Sequence, residues 1–290
     1  MLLLLALLQQ IDSTVPVERG QRLEVSSHAG DIAVKTWARS AVRVQADPGG
    51  RTTVEIDRSA TSLTVRTEGR RGPPSMVDLQ ITAPAWMALD LSGVNTDISI
   101  AGARGPVSVE TVQGQVDVEG GEGLVSLQSV QGSVSLRGAK GSLEVHSVNE
   151  DVVVSGSSGE VTAETVNGDI TLSRVDGSSV TASSVNGDLE YDGTIRNGGR
   201  YAFSTHNGNI TVSVPDGANA AVAVATFNGD FASEFPVTLT ETRKGKRFSF
   251  TLGTGSAQMT LESFQGSIEL VRPGSMRDRD RERDHDHDEE

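Results

Sequence analysis

Cysteine is absent from the 290 residues, which excludes disulfides and thiolate metal sites and leaves packing and backbone pairing to hold the fold. Aromatic residues make up only 4% of the chain, and its two tryptophans are Trp37 and Trp86. Positive charge is short as well: 25 Lys and Arg stand against 39 Asp and Glu, a formal net charge of −14. Apart from the short turn Arg243-Lys244-Gly245-Lys246-Arg247 there is no basic cluster. Binding to nucleic-acid phosphates or to an anionic membrane needs a concentrated cationic face, so both partners are set aside. Long hydrophobic runs are missing too. The run Leu2 to Leu8 falls far short of the ~20 residues of a spanning helix, so no transmembrane segment is expected.

That run resembles the apolar part of a secretory signal, followed by Gln9 and Gln10. Residues 1–14 are therefore read as a residual signal-like segment, with a frayed N-terminus or a core strand as the alternative. The expectation is export to the periplasm, the cell surface or the medium. At the other end, Ser275 to Glu290 reads SMRDRDRERDHDHDEE. Such a stretch cannot bury enough apolar surface to order itself, so residues 274–290 are expected to be a disordered charged tail. His285 and His287 lie among acids there, but nothing fixes a ligand geometry.

What the chain has in abundance is glycine, 32 residues, and repetition. VSVETVQGQVDV from Val107, VSLQSVQGSVSL from Val125, LEVHSVNEDVVV from Leu143 and VTAETVNGDITL from Val161 start at intervals of 18 residues. Further copies begin at Leu23, Leu89, Val180, Tyr201, Val222 and Met259. Each places apolar or large residues at positions 1, 3, 6, 9 and 11; in one copy these are Val161, Ala163, Val166, Ile170 and Leu172. Positions 1 and 3, then 9 and 11, alternate as half-buried strands do. Asn167-Gly168 bends the chain between them, and glycine corners such as Gly156 to Gly159 close each coil.

A Val-Asn-Gly-Asp turn between alternating strands also suits antiparallel hairpins. Hairpins do not require successive strands to match residue for residue, whereas stacked coils do. The reading is an all-β, single-chain parallel β-solenoid, or β-helix, with coils of about 18 residues and irregular ends. It spans residues 15–273, with regular coils at 89–192 and looser coils at 15–88 and 193–273. The pieces AVRVQA, TTVEID, SLTVRT and VDLQIT before Leu89, and an insertion from Phe235 to Leu252 with two strands around Lys244-Gly245, are expected to cap the ends.

Two polar columns accompany the repeat. Before the turn glycine stand Asn95, Gln113, Gln131, Asn149, Asn167, Asn186, Asn207, Asn228 and Gln265. Carboxamides donate and accept at once, so this column is read as a structural hydrogen-bonded ladder. Before the third apolar residue stand Thr111, Ser129, Ser147, Thr165, Ser184, Thr205, Thr226 and Ser263, interrupted at Gly93. The turn aspartates Asp97, Asp151, Asp169, Asp188 and Asp230 are read as turn formers rather than a calcium column, since Gln115 and Ser133 interrupt them. His28 and His206 replace Val at position 6, where a packed inward histidine is expected, while His146 points outward.

Catalytic signals are weak. Glycoside hydrolysis needs two carboxylates about 5 to 10 Å apart, and Glu110, Glu164 and Glu262 share one outward position, with Gln128, His146 and Ser183 among its other occupants. No His lies beside a nucleophile and an orienting acid. No catalytic, cofactor-binding or metal-binding residue is assigned, and no cofactor is expected. A mixed Ser/Thr column beside a turn is also a poor ice-binding surface.

The copies Glu164-Thr165-Val166-Asn167-Gly168-Asp169-Ile170 and Ser183-Ser184-Val185-Asn186-Gly187-Asp188-Leu189, and the closing Glu262 to Leu270 copy, resemble the bacterial putative-adhesin family of β-strand-repeat proteins. The resemblance runs from about Leu23 to Val271; Glu150 stands where the turn glycine belongs. It implies an exported cell-envelope protein without established catalytic residues. The functional expectation is a non-enzymatic adhesin, or envelope binding or scaffold protein, that meets a protein or glycan ligand through outward residues such as Glu110, Asp117, Glu119 and Arg137. The alternatives are a carbohydrate-active β-helix enzyme, a polysaccharide hydrolase or lyase, and a stress-sensing envelope module.

Overall fold

The computed structural model describes residues 11–48, 52–69, 75–237, 240–242 and 246–274. The apolar run Leu2 to Leu8, the turn 243–245, the charged tail and its two histidines lie outside these residues. The chain divides into two compact units, Met1–Glu144 and Val145–Glu290.

In the first unit, one set of strands runs Ser62–Gly69, Arg22–Ala29, Ala88–Asn95, Val107–Gln113 and Glu122–Gln131, all parallel to their neighbours. Register is copy on copy: Val109 sits between Leu91 and Leu127. The companion set runs Leu79–Pro84, Ile32–Trp37, Ile98–Ala103, Val116–Gly120 and Val134–Arg137, again parallel. Antiparallel strands close the outer edges. Thr52–Arg58 lies on Ser62–Gly69, and Ala41–Ala46 lies between Leu79–Pro84 and Ile11–Pro16.

The second unit repeats the scheme. Its first set is Ser158–Glu164, Ile170–Asn186, Arg200–Asn207, Ala257–Gln265 and Ala220–Asn228, all parallel. Lys246–Leu252 and then Thr240–Thr242 add antiparallel edges. The companion set is Val152–Ser155, Ile170–Asn186, Leu189–Gly193, Ile210–Ser213, Ile268–Val271 and Phe231–Ser233. Ile170–Asn186 serves both sets because it turns the corner without losing strand pairing; Arg174 takes the left-handed φ of 53° there, beside a register shift between Ser173 and Val175.

The expectation of a single-chain parallel β-solenoid is corrected by this arrangement. The sheet wraps through 338° into a nearly closed barrel of 17 strands, and antiparallel strands flank the parallel ones at their outer edges. The β-helix description falls with it. Matched columns report only that neighbouring copies pair in parallel register. They carry no information on how far a sheet curls or whether it closes, because twist and coiling accumulate over many strands.

Strand order also departs from chain order. The late strand Ala257–Gln265 inserts between Arg200–Asn207 and Ala220–Asn228, and the early Arg22–Ala29 inserts between Ser62–Gly69 and Ala88–Asn95. Copies remote in sequence therefore become neighbours.

The cores follow strand alternation. Positions 1, 3, 9 and 11 point inward, as at Val161, Ala163, Ile170 and Leu172. In the second unit Tyr191, Tyr201 and Phe203 form a buried aromatic cluster, with ring centroids 5.0 Å apart for Tyr191–Phe203 and 6.0 Å for Tyr191–Tyr201. Their hydroxyls are satisfied: Tyr191 Oη donates to Thr194 O and Tyr201 Oη to Gly177 O. Burial pushes both phenols above their ordinary range.

Position 6 does not point inward, contrary to the sequence expectation. Val94, Val112, Val166, Val185, Phe227 and Phe264 are 41% to 61% exposed, and His28 and His206 are exposed as well. Position 5 takes the inward place: Thr111, Ser129, Ser147, Thr165, Ser184, Thr205, Thr226 and Ser263 are buried. Alternation continues unbroken through positions 1, 3 and 5. A hydroxyl is tolerated inside because it has an acceptor. Thr165 Oγ1 donates to Glu150 O and Ser184 Oγ to Gly168 O, both at 3.0 Å. Thr205 and Ser263 donate likewise to Gly187 O and Gly208 O. Each of these four hydroxyls thus secures a carbonyl of a turn. At Gly93, where the column is interrupted, the buried Thr96 fills the space; a Cβ on Gly93 would lie 2.5 Å from Thr96 Cβ.

Candidate binding surface

The outward column of the second unit is set by register. Ser184 pairs with Thr205 and Asn186 with Asn207, which places Val185 beside His206. Thr205 and Asn207 pair with Ser263 and Gln265, and these pair with Thr226 and Asn228. His206, Phe264 and Phe227 therefore stand side by side on three adjacent strands. Strand spacing of about 4.8 Å suits stacked rings. The His206 and Phe264 centroids are 4.7 Å apart with planes 4° from parallel, and those of Phe264 and Phe227 are 4.9 Å apart at 1°.

These rings form one wall of a groove of about 630 Å³. Its other wall is the outward column at position 4, small at Ser204 and Ala225 and charged at Glu262 and, on the antiparallel edge strand, Arg247. Buried Thr205, Thr226 and Ser263 lie along its base. Small residues opposite large flat ones leave the hollow. Three exposed stacked rings on a chain so poor in aromatics are a concentrated apolar feature, of the kind that marks an interaction surface.

Next to the rings runs the carboxamide column. Gln113 Nε2 donates to Gln131 Oε1 at 2.8 Å in the first unit. In the second, Asn167 donates to Asn149, Asn186 to Asn167 and Asn207 to Asn186, at 2.7 to 3.1 Å. Asn95 is in register with Gln113, and Gln265 lies between Asn207 and Asn228. The turn aspartates do related work. Asp97, Asp151, Asp169 and Asp188 each accept, through Oδ1, the backbone N–H of the matching residue one copy on, at 2.7 to 2.8 Å. A carboxylate used this way fixes a turn. Among the described residues no group of three or more His, Cys, Asp or Glu could hold a metal ion.

The outward carboxylates are dispersed. Glu164 is three strand spacings from Glu262 by way of Ser183 and Ser204, about 14 Å, and it meets His146 Nδ1 at 3.3 Å. That separation exceeds the reach of a hydrolytic pair. Glu110 is exposed in the first unit, and Arg137 closes on both oxygens of Asp117 at 2.7 Å. Trp37 and Trp86 are half-buried, with Arg39 and Arg19 over their rings.

Sequence reasoning missed the ring column, having placed position 6 inside. The signal was available in strict alternation, and in the change from Val to His and Phe at 206, 227 and 264.

Among solved structures, similar chains include a putative adhesin from Bacteroides fragilis, with 12% identity, 91% of this chain and 97% of that chain covered, and a TM-score of 0.38. Another from Parabacteroides distasonis has 12% identity, the same coverages and a TM-score of 0.35. A third, described as a putative lipid binding protein from Parabacteroides distasonis, has 10% identity, covers 91% of this chain and 97% of its own, and has a TM-score of 0.28. No curated protein matches the chain. No helix of the described residues is long and apolar enough to cross a membrane. The family model for Toastrack DUF4097 matches residues 9–271, and the chain belongs to that family.

Proposed function

We propose that this is a non-enzymatic, exported protein of the cell envelope, an adhesin or scaffold that holds a protein partner on its outward columns. The observation that carries the reading is the exposed stack of His206, Phe264 and Phe227 beside the groove of the second unit. Rigid, pre-positioned aromatic rings provide contact area at little entropic cost on binding. The regular backbone beneath them is a stiff platform, and side chains on its outer face can vary without disturbing the core. Export rests on the secretory character of Leu2 to Leu8.

The test compares the parent with Phe227→Ala/Phe264→Ala in quantitative pull-downs from envelope extracts, after fractionation of the expressing cells. The reading expects an envelope partner retained by the parent and depleted with the double variant. Equal retention by both would remove the groove from the proposal, and a purely cytoplasmic product would remove export. The hydrolase or lyase alternative is checked by screening polysaccharides for new reducing ends or unsaturated products; turnover lost on changing one carboxylate would establish it instead.

A further inference from the structure

We propose that a second cleft, at the corner of the first unit, is a binding site for a neutral saccharide. It lies where the strands Ile32–Trp37, Ile98–Ala103, Val116–Gly120 and Val134–Arg137 end together and the chain turns. Small residues hollow it out to about 540 Å³. Gly120 is required by its surroundings, since a Cβ there would lie 2.3 Å from Ala103 O and its φ is +94°. The turn therefore presents bare backbone to the cleft.

Long charged side chains surround this floor: Arg104, Arg137 and Lys140 with Glu119 and Glu122. Arg137 is committed to Asp117. The other four are exposed, and none makes an ion pair or side-chain hydrogen bond with another described residue. Opposite charges thus line one hollow without neutralising each other, leaving donors on Arg104 and Lys140 and acceptors on Glu119 and Glu122 for a ligand. An anion would meet the two carboxylates and a cation would meet the two free positive groups of Arg104 and Lys140, so the charge pattern disfavours both. A ligand carrying many hydroxyls suits it, because each hydroxyl donates to a carboxylate and accepts from a cation, and bonds to charged partners are the stronger kind. Trp37 adds an apolar surface of the sort that sugar C–H faces pack against. The ring is held still, its Nε1 donating to Ala41 O at 2.7 Å and Arg39 covering one face.

This site shares no residue with the aromatic groove, so the two proposals stand or fall separately. The full chain would be titrated calorimetrically with maltohexaose, cellohexaose and chitohexaose, and with tetragalacturonate and spermidine as charged comparators. At least one neutral hexasaccharide is expected to bind. Glu119→Gln/Lys140→Met should weaken that binding by about tenfold or more, as loss of charge-assisted hydrogen bonds does. Phe227→Ala should leave it unchanged. Both substituted side chains in the double variant are exposed, so folding is retained and is checked by circular dichroism. The proposal is overturned if no neutral hexasaccharide binds, if the double variant binds as the parent does, or if either charged comparator binds more tightly.

Discussion

Thr165 and Val166 are adjacent, yet the hydroxyl is buried against Glu150 O and the isopropyl group faces solvent. Hydrophobicity alone would reverse them. The strand period overrules it, and a bonded hydroxyl makes the inversion affordable. Val166→Asp should therefore shift stability by no more than about 0.5 kcal/mol in urea unfolding, as exposed substitutions do. Thr205→Val should cost about 1 to 2 kcal/mol, because Gly187 O loses its buried donor. Gly187 faces a harder limit: a Cβ there would lie 1.9 Å from Gly168 O, and its φ is +157°. Gly187→Ala should cost at least about 2 kcal/mol on the same assay. Asp176 is held at about pKa 2, first by its hydrogen bonds to Arg196 and then by Thr194. A carboxyl lowered on folding stabilises fully above its unfolded value near 3.8 and loses that contribution as pH falls through about 2. Urea midpoints measured from pH 5 down to about 2 should fall more steeply for the parent than for Asp176→Asn.

Among the strands, the repeat was legible in the sequence because stacking demands it. Turn glycines are fixed by carbonyls of the neighbouring copy, and the carboxamide column by its own bonds. Val152, Ile170 and Leu189 declare their register in the same way. The insertion of Ala257–Gln265 between Arg200–Asn207 and Ala220–Asn228 was not legible. Copies that match are interchangeable as neighbours, so a consensus cannot encode its own place in the stack. Curling into a barrel was hidden for a related reason, since it depends on accumulated twist and not on any one residue. Of the binding surface, the aromatic positions were visible but their direction was misjudged, because Val at position 6 was read as core. The corner cleft was invisible: Arg104, Glu122 and Lys140 are ordinary surface charges until the fold gathers them. The antiparallel edges have a physical purpose, as Thr52–Arg58 and Lys246–Leu252 cover strands that would otherwise offer open backbone to another chain.

For the molecule as a whole, a stiff β framework carries its chemistry outward on columns whose order depends on which copies are neighbours. The aromatic groove exists only because a late strand brings Phe264 between His206 and Phe227. Absence of cysteine makes this directly testable by cross-linking. Disulfides need Cα atoms about 4.4 to 6.8 Å apart, which adjacent strands satisfy and strands two spacings apart, at about 9.6 Å, do not. His206→Cys/Phe264→Cys and His206→Cys/Phe227→Cys would be oxidised mildly in the folded state and followed by mass spectrometry. The account predicts a disulfide in the first variant and free thiols in the second. A disulfide between 206 and 227, with none between 206 and 264, would contradict it.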